Sequence, residues 1–565
     1  MLIKTKNIRN FLFRNKIYGY LITKNDEYFK SPDNLDLDVL RKLTNFTGSF
    51  GIAIITMTQN YLFVDGRYTT QAKKESGKKF RIINIDRLKK FVNNKFKKNK
   101  YIAYDDRFFQ LNFINSFHKG KSNFVPYSFL LPNLKKVKKI QVFELDKKYH
   151  GLNFDKKLKM VKEFIKLNNN EGLLISSSEN ICWLSNLRTT MLYNPIIKSK
   201  AILKKDKLFI YCDTKYIRTS LKINKKIHLL NKNRIFSDIK NLKTIYLDQN
   251  SVSVNFINKL KKMRVLMKIK EDPIYFLKSI KNKAEIQNLI KAQIYDGVAL
   301  VKLMFWLENN INKSKITEID VQNKLEIIKN KNKNYISPSF ETISAYGANG
   351  AIIHYNAKNV KKKTFLKKSN YYLLDSGSQY YNGTTDVTRT IKLGKINQFQ
   401  KDIYTYVLKS HIAVNNFKLT NNTTGHDVDM KARSIMKKMA KNYNHGTGHG
   451  IGFFLNVHES PPNISFKSKT KFYEGQIMSN EPGYYKVNHF GIRLENMMIV
   501  KKEKGKKFFD NLTLVPFDKN SLNKNLLSKN EIYWINNYHK KVFKKLNKFL
   551  PLKEKNYLKN LCSKI

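Results

Sequence analysis

Four segments between residues 371 and 500 concentrate acidic and imidazole side chains among apolar residues. The candidates are Asp375 and Asp386 in the first segment, His445, His449 and His458 in the second, Glu481 in the third and Glu495 in the fourth. An acidic side chain inside an apolar strand is costly to bury unless a cation compensates its charge. Four carboxylates and one imidazole would balance two divalent ions. Such oxygen-rich ligation suits Mn²⁺, with Co²⁺, Fe²⁺ or Zn²⁺ as the other candidates.

The two aspartates lie on either side of a predicted β-hairpin. Asn382 and Gly383 favour a tight turn between strands at residues 371–376 and 384–393. A strict two-residue turn at that dipeptide would place Asp386 opposite Gln379 rather than beside Asp375. Bringing the carboxylates together therefore requires a wider loop or a β-bulge, which we expect at Gly377. Either aspartate taken alone is better explained as a solvated turn residue.

The histidine segment does not fit a helical metal site, although His445 and His449 have the i, i+4 spacing of one. Four glycines are interleaved with these histidines and disfavour a helix. In an extended chain four residues span roughly 13 Å, so both imidazoles could not reach one ion. We expect one to be a ligand and the other to support it or to contact the substrate.

The remaining two acids have different predicted settings. Glu481 precedes Pro482 and Gly483, which mark a turn, whereas Glu495 lies in a strand-like run, GIRLENMMIV. A buried acid in a strand again needs a positively charged partner.

The elements that must position these residues form three predicted domains. Short apolar runs alternate with helical patterns before residue 146, and the same pattern restarts after it, which predicts two similar α/β domains. A long amphipathic helix then opens the segment that carries the motifs. We place the domains at residues 1–146, 147–272 and 273–565, the last ending in a basic helical tail from residue 518.

The amino-acid composition indicates a folded protein without a membrane-spanning segment. The chain of 565 residues has 41% hydrophobic residues, enough for packed cores, and no apolar run that would span a bilayer. Its three cysteines lie far apart, which fits a reducing cytoplasm and argues against thiolate metal sites.

The net charge of +64 comes mostly from lysine spread along the whole chain. We interpret it as a codon bias, and we expect weak, salt-sensitive sticking to RNA without specific nucleic-acid binding.

Taken together and in this order, the motifs resemble those of the aminopeptidase P group of pita-bread metallopeptidases. They are LLDSG, TTDVTRT, HGTGHGIGFFLNVHES, EPGYY, GIRLEN and SPSFETISAYGANGAIIHYNA, with DGRY and WLSNLR earlier in the chain. The resemblance covers nearly the whole chain and follows the three-domain form. It implies two N-terminal α/β domains followed by a C-terminal pita-bread catalytic domain of α+β type.

The resemblance also implies roles for individual residues. The metal ligands would be Asp375, Asp386, His449, Glu481 and Glu495, with Asp386 and Glu495 bridging two ions. Glu481 would also act as the catalytic proton shuttle, His354 and His458 would contact the substrate at the scissile carbonyl, and Arg67 would bind substrate. His445 and Arg493 would support the ligands. The implied reaction releases the first residue from peptides with proline in second position, carried out by a cytoplasmic homodimer.

Three alternatives stay open at this point. A prolidase would accept only dipeptides, and a creatinase-like amidinohydrolase would need no metal, although the full ligand set counts against the latter. A catalytically dead module of the same fold would use its charge to bind protein or nucleic acid.

Overall fold

The computed structural model describes residues 4–30, 38–96, 100–117, 123–128, 139–218, 223–360 and 362–565. The chain forms two compact units. The first contains Met1–Glu144, Asn153–Thr189 and Ile196–Ile274, and the second contains Leu145–Leu152, Thr190–Pro195 and Tyr275–Ile565. Apart from Leu145–Leu152 and Thr190–Pro195, both predicted α/β domains therefore fall into the first unit. The boundaries at residues 146 and 272 stay a prediction.

The strands of the first unit alternate with helices along the chain. The strands are β1 Gly19–Thr23, β2 Ile52–Thr56, β3 Asn60–Val64, β4 Arg81–Asn84, β5 Tyr101–Tyr104, β6 Asn123–Pro126, β7 Ile140–Glu144, β8 Glu171–Ile175, β9 Leu187–Thr189, β10 Ser199–Lys204, β11 Lys207–Cys212, β12 Ile217–Arg218, β13 Ile227–Asn231, β14 Thr244–Leu247 and β15 Leu266–Ile269. The helices are α1 Thr5–Arg14, α2 Val39–Thr44, α3 Thr69–Ser76, α4 Leu88–Lys95, α5 Leu111–Asn115, α6 Lys147–His150 (part of the second unit), α7 Phe154–Phe164, α8 Ser178–Ser185, α9 Ile235–Lys240 and α10 Val254–Lys262.

Two six-stranded sheets organise this unit, and they share one topology. Their strand orders are β4-β3-β2-β1-β5-β6 and β13-β11-β10-β8-β14-β15. In both sheets the third strand in this order, β2 or β10, pairs antiparallel with both of its neighbours, and the other three pairings are parallel. Strands such as β2 are buried at every position because helices cover both faces of the sheet. The predicted similarity of the first two domains is confirmed.

The second unit carries the motifs. Its strands are β16 Tyr335–Pro338, β17 Ile343–Tyr346, β18 Ser369–Ser376, β19 Ser378–Tyr380, β20 Gly383–Thr384, β21 Val387–Gly394, β22 Gly448–Gly450, β23 Glu459–Ile464, β24 Ile477–Asn480, β25 Gly483–Lys486, β26 Phe490–Arg493, β27 Asn496–Glu503 and β28 Lys506–Asn511. Its longer helices are α12 Lys283–Asn310, α13 Glu318–Lys329, α14 Gln398–Asn415, α15 Gly425–Lys437, α16 Lys529–Leu546 and α17 Leu552–Leu561, preceded by α11 Ile274–Ser279.

The sheets of this unit are small, and helices surround them. Their orders are β16-β19-β20, β17-β18-β21, β23-β22-β24-β27-β28 and β25-β26. Helix α12 begins with a complete capping box between Asn282 and Glu285, which satisfies backbone N–H groups at its first turn. One large apolar cluster joins α12, α14 and α16 through residues such as Val301, Tyr404 and Val542. The helices of the second unit therefore form a packed scaffold for the motif residues.

The C-terminal tail consists of two helices rather than a single continuous one. Helix α16 ends at Leu546, and α17 begins after Pro551, whose fixed φ favours a helix start but would break a helix interior. Throughout the described ranges, no helix has both the length and the apolar composition that crossing a bilayer requires.

Candidate metal centre

The hairpin between the two aspartates keeps one register from end to end. Ser376 pairs with Val387, and Tyr380 pairs with Gly383. The two-residue turn is therefore Tyr381-Asn382, and the predicted turn at Asn382-Gly383 was wrong by one residue. That shift places Asp386 across from Gly377.

Asp375 pairs with Thr388, so it is two positions away from the partner of Asp386. Residues related in this way are diagonal neighbours on one face of a sheet. The two carboxylates are thus brought together without an extra residue, and the predicted bulge at Gly377 is not needed.

Gly377 has a different structural role. A Cβ at this position would lie 2.1 Å from Ser339 Oγ and 2.2 Å from the carbonyl oxygen of Thr385. Glycine is required there because the backbone of the opposite strand approaches too closely for a side chain.

The other three candidate ligands lie on neighbouring strands of the five-stranded sheet. His449 is in β22, Glu481 follows β24 and Glu495 precedes β27. Because Asn480 pairs with Asn496, the same register places Glu481 next to Glu495. The backbone N–H of Glu481 donates to the carbonyl of Thr447 at 2.8 Å, which ties this turn to the histidine segment.

Hydrogen bonding fixes the tautomer of His449. Its Nδ1 lies 2.9 Å from the carbonyl oxygen of Gly450, which can only accept, so Nδ1 carries the proton. The lone pair of Nε2 is then free for a metal, as in most histidine ligands. Nε2 lies 3.5 Å from Asp386 Oδ2 and 3.6 Å from Glu481 Oε1.

Ligand atoms of Asp386, His449 and Glu495 all lie within 4.8 Å of one another. Asp375 approaches from the hairpin with Oδ2 bound to Arg493, while its Oδ1 is buried without a hydrogen-bond partner. A buried carboxylate oxygen without a donor is destabilising unless a cation is bound to it.

The electrostatics of the cluster also favour cations. Burial, together with the charges of Asp375 and Glu481, raises the pKa of Asp386 well above its usual range. Burial and the neighbouring carboxylates, Asp386 first among them, raise the pKa of Glu495 in the same way. The four acids repel one another, and bound divalent ions would relieve that repulsion. The donor set of carboxylates and one imidazole therefore fits two such ions.

A second group of side chains forms hydrogen bonds to the carboxylates and to one another. The guanidinium of Arg493 donates to Asp375 Oδ2 at 2.6 Å, to Thr388 Oγ1 at 3.1 Å and to the hydroxyl of Tyr485 at 2.9 Å. The Thr388 hydroxyl in turn donates to Glu495 Oε2 at 2.8 Å. Arg493 thereby connects the hairpin to the strand that carries Glu495.

His445 belongs to this second group rather than to the ligand cluster. Its Nδ1 donates to the carbonyl of Gly446 at 2.7 Å, and its Nε2 lies 2.8 Å from the Tyr485 hydroxyl. The two histidines of the segment thus reach different partners, as the extended-chain distance requires.

The predicted substrate contacts have three different settings. The ring of His458 is exposed and lies 4.3 Å from the ring of His449, centroid to centroid. His354 follows a 3-10 turn, and the carbonyl of its neighbour Ile353 lies 3.5 Å from Arg493 Nη1. Arg67 belongs to the first unit, where its guanidinium makes two hydrogen bonds to Asp65.

Sequence reasoning missed Thr388 and Tyr485. Both signals were available: Thr388 is two residues after Asp386 in a predicted strand and so shares its face, and Tyr485 lies in the same EPGYY motif as Glu481. A hydroxyl in a motif is too common a feature to be selected without its partner.

Comparisons with known proteins agree along the whole chain. The model of metallopeptidase family M24 matches residues 287–502, and that of the C-terminal region of peptidase M24 matches residues 508–565. Two models of the creatinase/prolidase N-terminal domain match residues 4–135 and 133–285.

Among curated relatives, Xaa-Pro aminopeptidase 1 of Dictyostelium discoideum is 34% identical, with 99% of this chain and 95% of the relative covered. A probable Xaa-Pro aminopeptidase P of Laccaria bicolor is 31% identical, with 96% of this chain and 90% of the relative covered.

Among solved structures, the X-prolyl aminopeptidase of Caenorhabditis elegans has a TM-score of 0.89 at 24% identity and covers 97% of this chain and 95% of its own. That protein is described as a cytosolic enzyme with a di-nuclear active site. The prolidase of Pyrococcus furiosus has a TM-score of 0.51 at 24% identity and covers 63% and 98%.

Proposed function

This chain belongs to metallopeptidase family M24, in the three-domain form of the Xaa-Pro aminopeptidases, and we propose that it releases the first residue of peptides with proline in second position. The observation that carries the proposal is the meeting of Asp386, His449 and Glu495 within 4.8 Å, in a chain similar over its full length to enzymes of that name.

Two divalent ions are the proposed cofactors. The residues that would hold them are Asp375, Asp386, His449, Glu481 and Glu495, and of these Asp386 and Glu495 would contribute to both ions. Mn²⁺ is the first candidate because four carboxylates dominate the donor set, with Co²⁺, Fe²⁺ and Zn²⁺ as alternatives. When bound, the ions would polarise the scissile carbonyl as Lewis acids and lower the pKa of the attacking water.

The chain's own groups move the protons and stabilise charge. In this proposal Glu481 takes the proton from the attacking water and delivers it to the proline nitrogen as the bond breaks. Its Oε1 accepts a hydrogen bond of 3.3 Å from the Ser479 hydroxyl, which orients the carboxylate. His354 and His458 donate to the oxygen that becomes negative at the scissile carbonyl, a contact often worth about 3 kcal/mol in the transition state.

Arg493 and His445 act as positioning residues in this proposal. Arg493 fixes Asp375, and through Thr388 it reaches Glu495. His445 holds Tyr485, which also accepts from Arg493. Loss of either residue should alter the geometry of the ligands without removing a ligand.

The substrate preference follows from the chemistry of proline. Proline lacks an N–H, and its ring restricts the preceding residue, so peptidases that read the N–H of residue two fail on this bond. We propose that Arg67 contributes to substrate binding, and that the enzyme is a homodimer of the cytoplasm. Cys182 and Cys212 are free and buried, as suits a reducing compartment.

The test is hydrolysis of matched peptides by the purified chain with and without added Mn²⁺. We expect release of the first residue from an Xaa-Pro-Yaa tripeptide, dependence on metal, and little cleavage of the Xaa-Ala-Yaa control. Cleavage of Xaa-Pro dipeptides alone would make the chain a prolidase. Failure to cleave any of the peptides with the metal bound would refute the proposal.

A further inference from the structure

A buried ion pair lies beside the hairpin that connects the two ligand aspartates. Asp296 of α12 and Lys329 of α13 are 2% exposed, and Lys329 Nζ lies 3.3 Å from Asp296 Oδ1. Burying such a pair gains little stability over a packed apolar pair of similar volume, because both charges lose their hydration. Its presence at this position therefore calls for a role other than stability.

Asp296 receives its other hydrogen bonds from the hairpin itself. Its Oδ1 accepts from the Ser378 hydroxyl at 2.7 Å and from the Tyr380 hydroxyl at 3.2 Å, and its Oδ2 accepts from the Thr385 hydroxyl at 3.0 Å. All three donors are fully buried. One carboxylate thus binds both strands of the hairpin between Asp375 and Asp386.

Thr385 is the critical donor because Asp386 follows it directly. Its Oγ1 also accepts from the backbone N–H of Ser378 at 2.9 Å, so its hydroxyl proton is directed to Asp296. The carbonyl of Thr385 accepts from Ser339 Oγ at 3.0 Å. Asp296 thus holds the side chain of Thr385, and Ser339 holds its carbonyl. These two contacts fix the orientation of Thr385 and therefore the direction in which Asp386 follows it.

Lys329 extends the same restraint to the first strand. Its Nζ lies 3.4 Å from the carbonyl oxygen of Gly377, the residue opposite Asp386. The pair therefore restrains both strands of the hairpin next to Asp386.

We propose that Asp296 is a positioning residue for the metal centre, which sets the separation of Asp375 and Asp386 by holding the hairpin between them through Ser378, Tyr380 and Thr385. The inference rests on the proposed two-ion function. Removing the carboxylate would let Asp386, the shared ligand, move relative to Asp375 and weaken the binding of the second ion.

The test compares Asp296→Asn with the wild-type chain by titration with Mn²⁺ and by electron paramagnetic resonance at two equivalents of the ion. We expect the second ion to bind about tenfold more weakly in the variant, a typical cost of losing a partner of a ligand. The spectrum should lose the signal of spin-coupled Mn²⁺ and gain the six-line signal of isolated ions. At saturating metal, kcat for the tripeptide should fall while KM stays within about twofold.

Thr385→Val is a second, independent variant, since it removes one hydroxyl and preserves the shape of the side chain. We expect it to show the same loss of second-ion affinity and of the spin-coupled signal. Asp38→Asn is the matched control, because Asp38 forms a buried ion pair with Lys24 in the first unit and its loss should leave the spectrum unchanged.

Folded Asp296→Asn and Thr385→Val chains with the wild-type spectrum and second-ion affinity would overturn the inference. A wild-type chain that binds fewer than two ions would instead refute both the proposed function and the inference.

Discussion

His445 and His449 have the same local geometry, and their partners alone separate their roles. Each donates Nδ1–H to the carbonyl of the following glycine, so each presents Nε2 as an acceptor. For His445 that acceptor meets the Tyr485 hydroxyl, whereas for His449 it faces Asp386 and Glu481. At the residue scale, the role of each histidine thus depends on which group its Nε2 faces. Residue type and spacing in the sequence do not reveal that partner.

Asp386→Asn should abolish loading of both ions, because we propose that both ions share this carboxylate and an amide would remove its charge. We expect hydrolysis of the tripeptide to fall at least about a hundredfold. Metal content after dialysis, measured by mass spectrometry, checks the cause.

Asp206→Asn, at a carboxylate 48% exposed in the first unit, is the control and should keep both metal and activity. Full turnover by the Asp386→Asn chain in metal-free buffer would contradict the assignment.

Arg493→Lys keeps the positive charge but cannot reach Asp375, Thr388 and Tyr485 at once, since an ammonium lacks the planar fork of the guanidinium. We predict a kcat about tenfold lower, with little change in KM. Steady-state kinetics at saturating metal measure both constants.

Arg234→Lys at an exposed position should behave as wild type. Equal kinetics in the Arg493→Lys chain would show that its charge alone matters.

At the scale of elements, helices α14 and α16 each bury one neutral histidine beside Arg389. Burial and the charge of Arg389 lower the pKa of His411 to about 3 and that of His539 to about 4. Arg389 itself donates to the backbone carbonyl of Glu495 at 2.5 Å, so this packing supports the strand with a proposed ligand.

The second unit should therefore lose stability in acid. The unfolded chain protonates these imidazoles below about pH 6.5, whereas the folded chain resists protonation until pH 4 or 3. Stability is fully present above pH 6.5 and is lost as the pH falls, by up to about 2 kcal/mol per histidine at pH 5.

His539→Gln keeps an acceptor for the backbone N–H of Phe517 and removes the titration. Calorimetry at pH 7 and pH 5 should show a smaller drop in Tm than in the wild-type chain. The exposed His489→Gln is the control, and an identical acid shift in all three chains would refute this explanation.

Elements with a strong local signal were predictable from the sequence, whereas register was not. The repeated α/β pattern and the long helix α12 follow from hydrophobic periodicity, which is a local property. The turn was misplaced by one residue because Asn-Gly is a strong local preference. The observed register also carries long-range hydrogen bonds from Ser378, Tyr380 and Thr385 to Asp296, which a local preference does not contain. The roles of Thr388 and Tyr485 also depend on long-range partners, so their places in the motifs were visible in the sequence but did not single them out.

At the scale of the whole molecule, 107 basic and 43 acidic side chains produce a net charge of +64. Such a surface attracts polyanions through release of their counterions, without reading their sequence. The full-length match to Xaa-Pro aminopeptidases indicates that the charge is carried by an enzyme and does not define the function.

We predict that the chain binds RNA and heparin at 50 mM salt and at least about tenfold more weakly at 300 mM. Fluorescence anisotropy with two RNAs of unrelated sequence measures both the salt slope and the specificity. Peptide hydrolysis should change little with added RNA. Sequence-selective binding that survives high salt would favour a nucleic-acid function.

The most direct test of the two-ion centre is a crystal of the chain soaked in Mn²⁺ and measured at the manganese absorption edge. We predict two anomalous peaks about 3.5–4 Å apart, both bounded by Asp386 and Glu495, with His449 on one of them. A single peak at that position, or peaks elsewhere with these carboxylates unliganded, would contradict it.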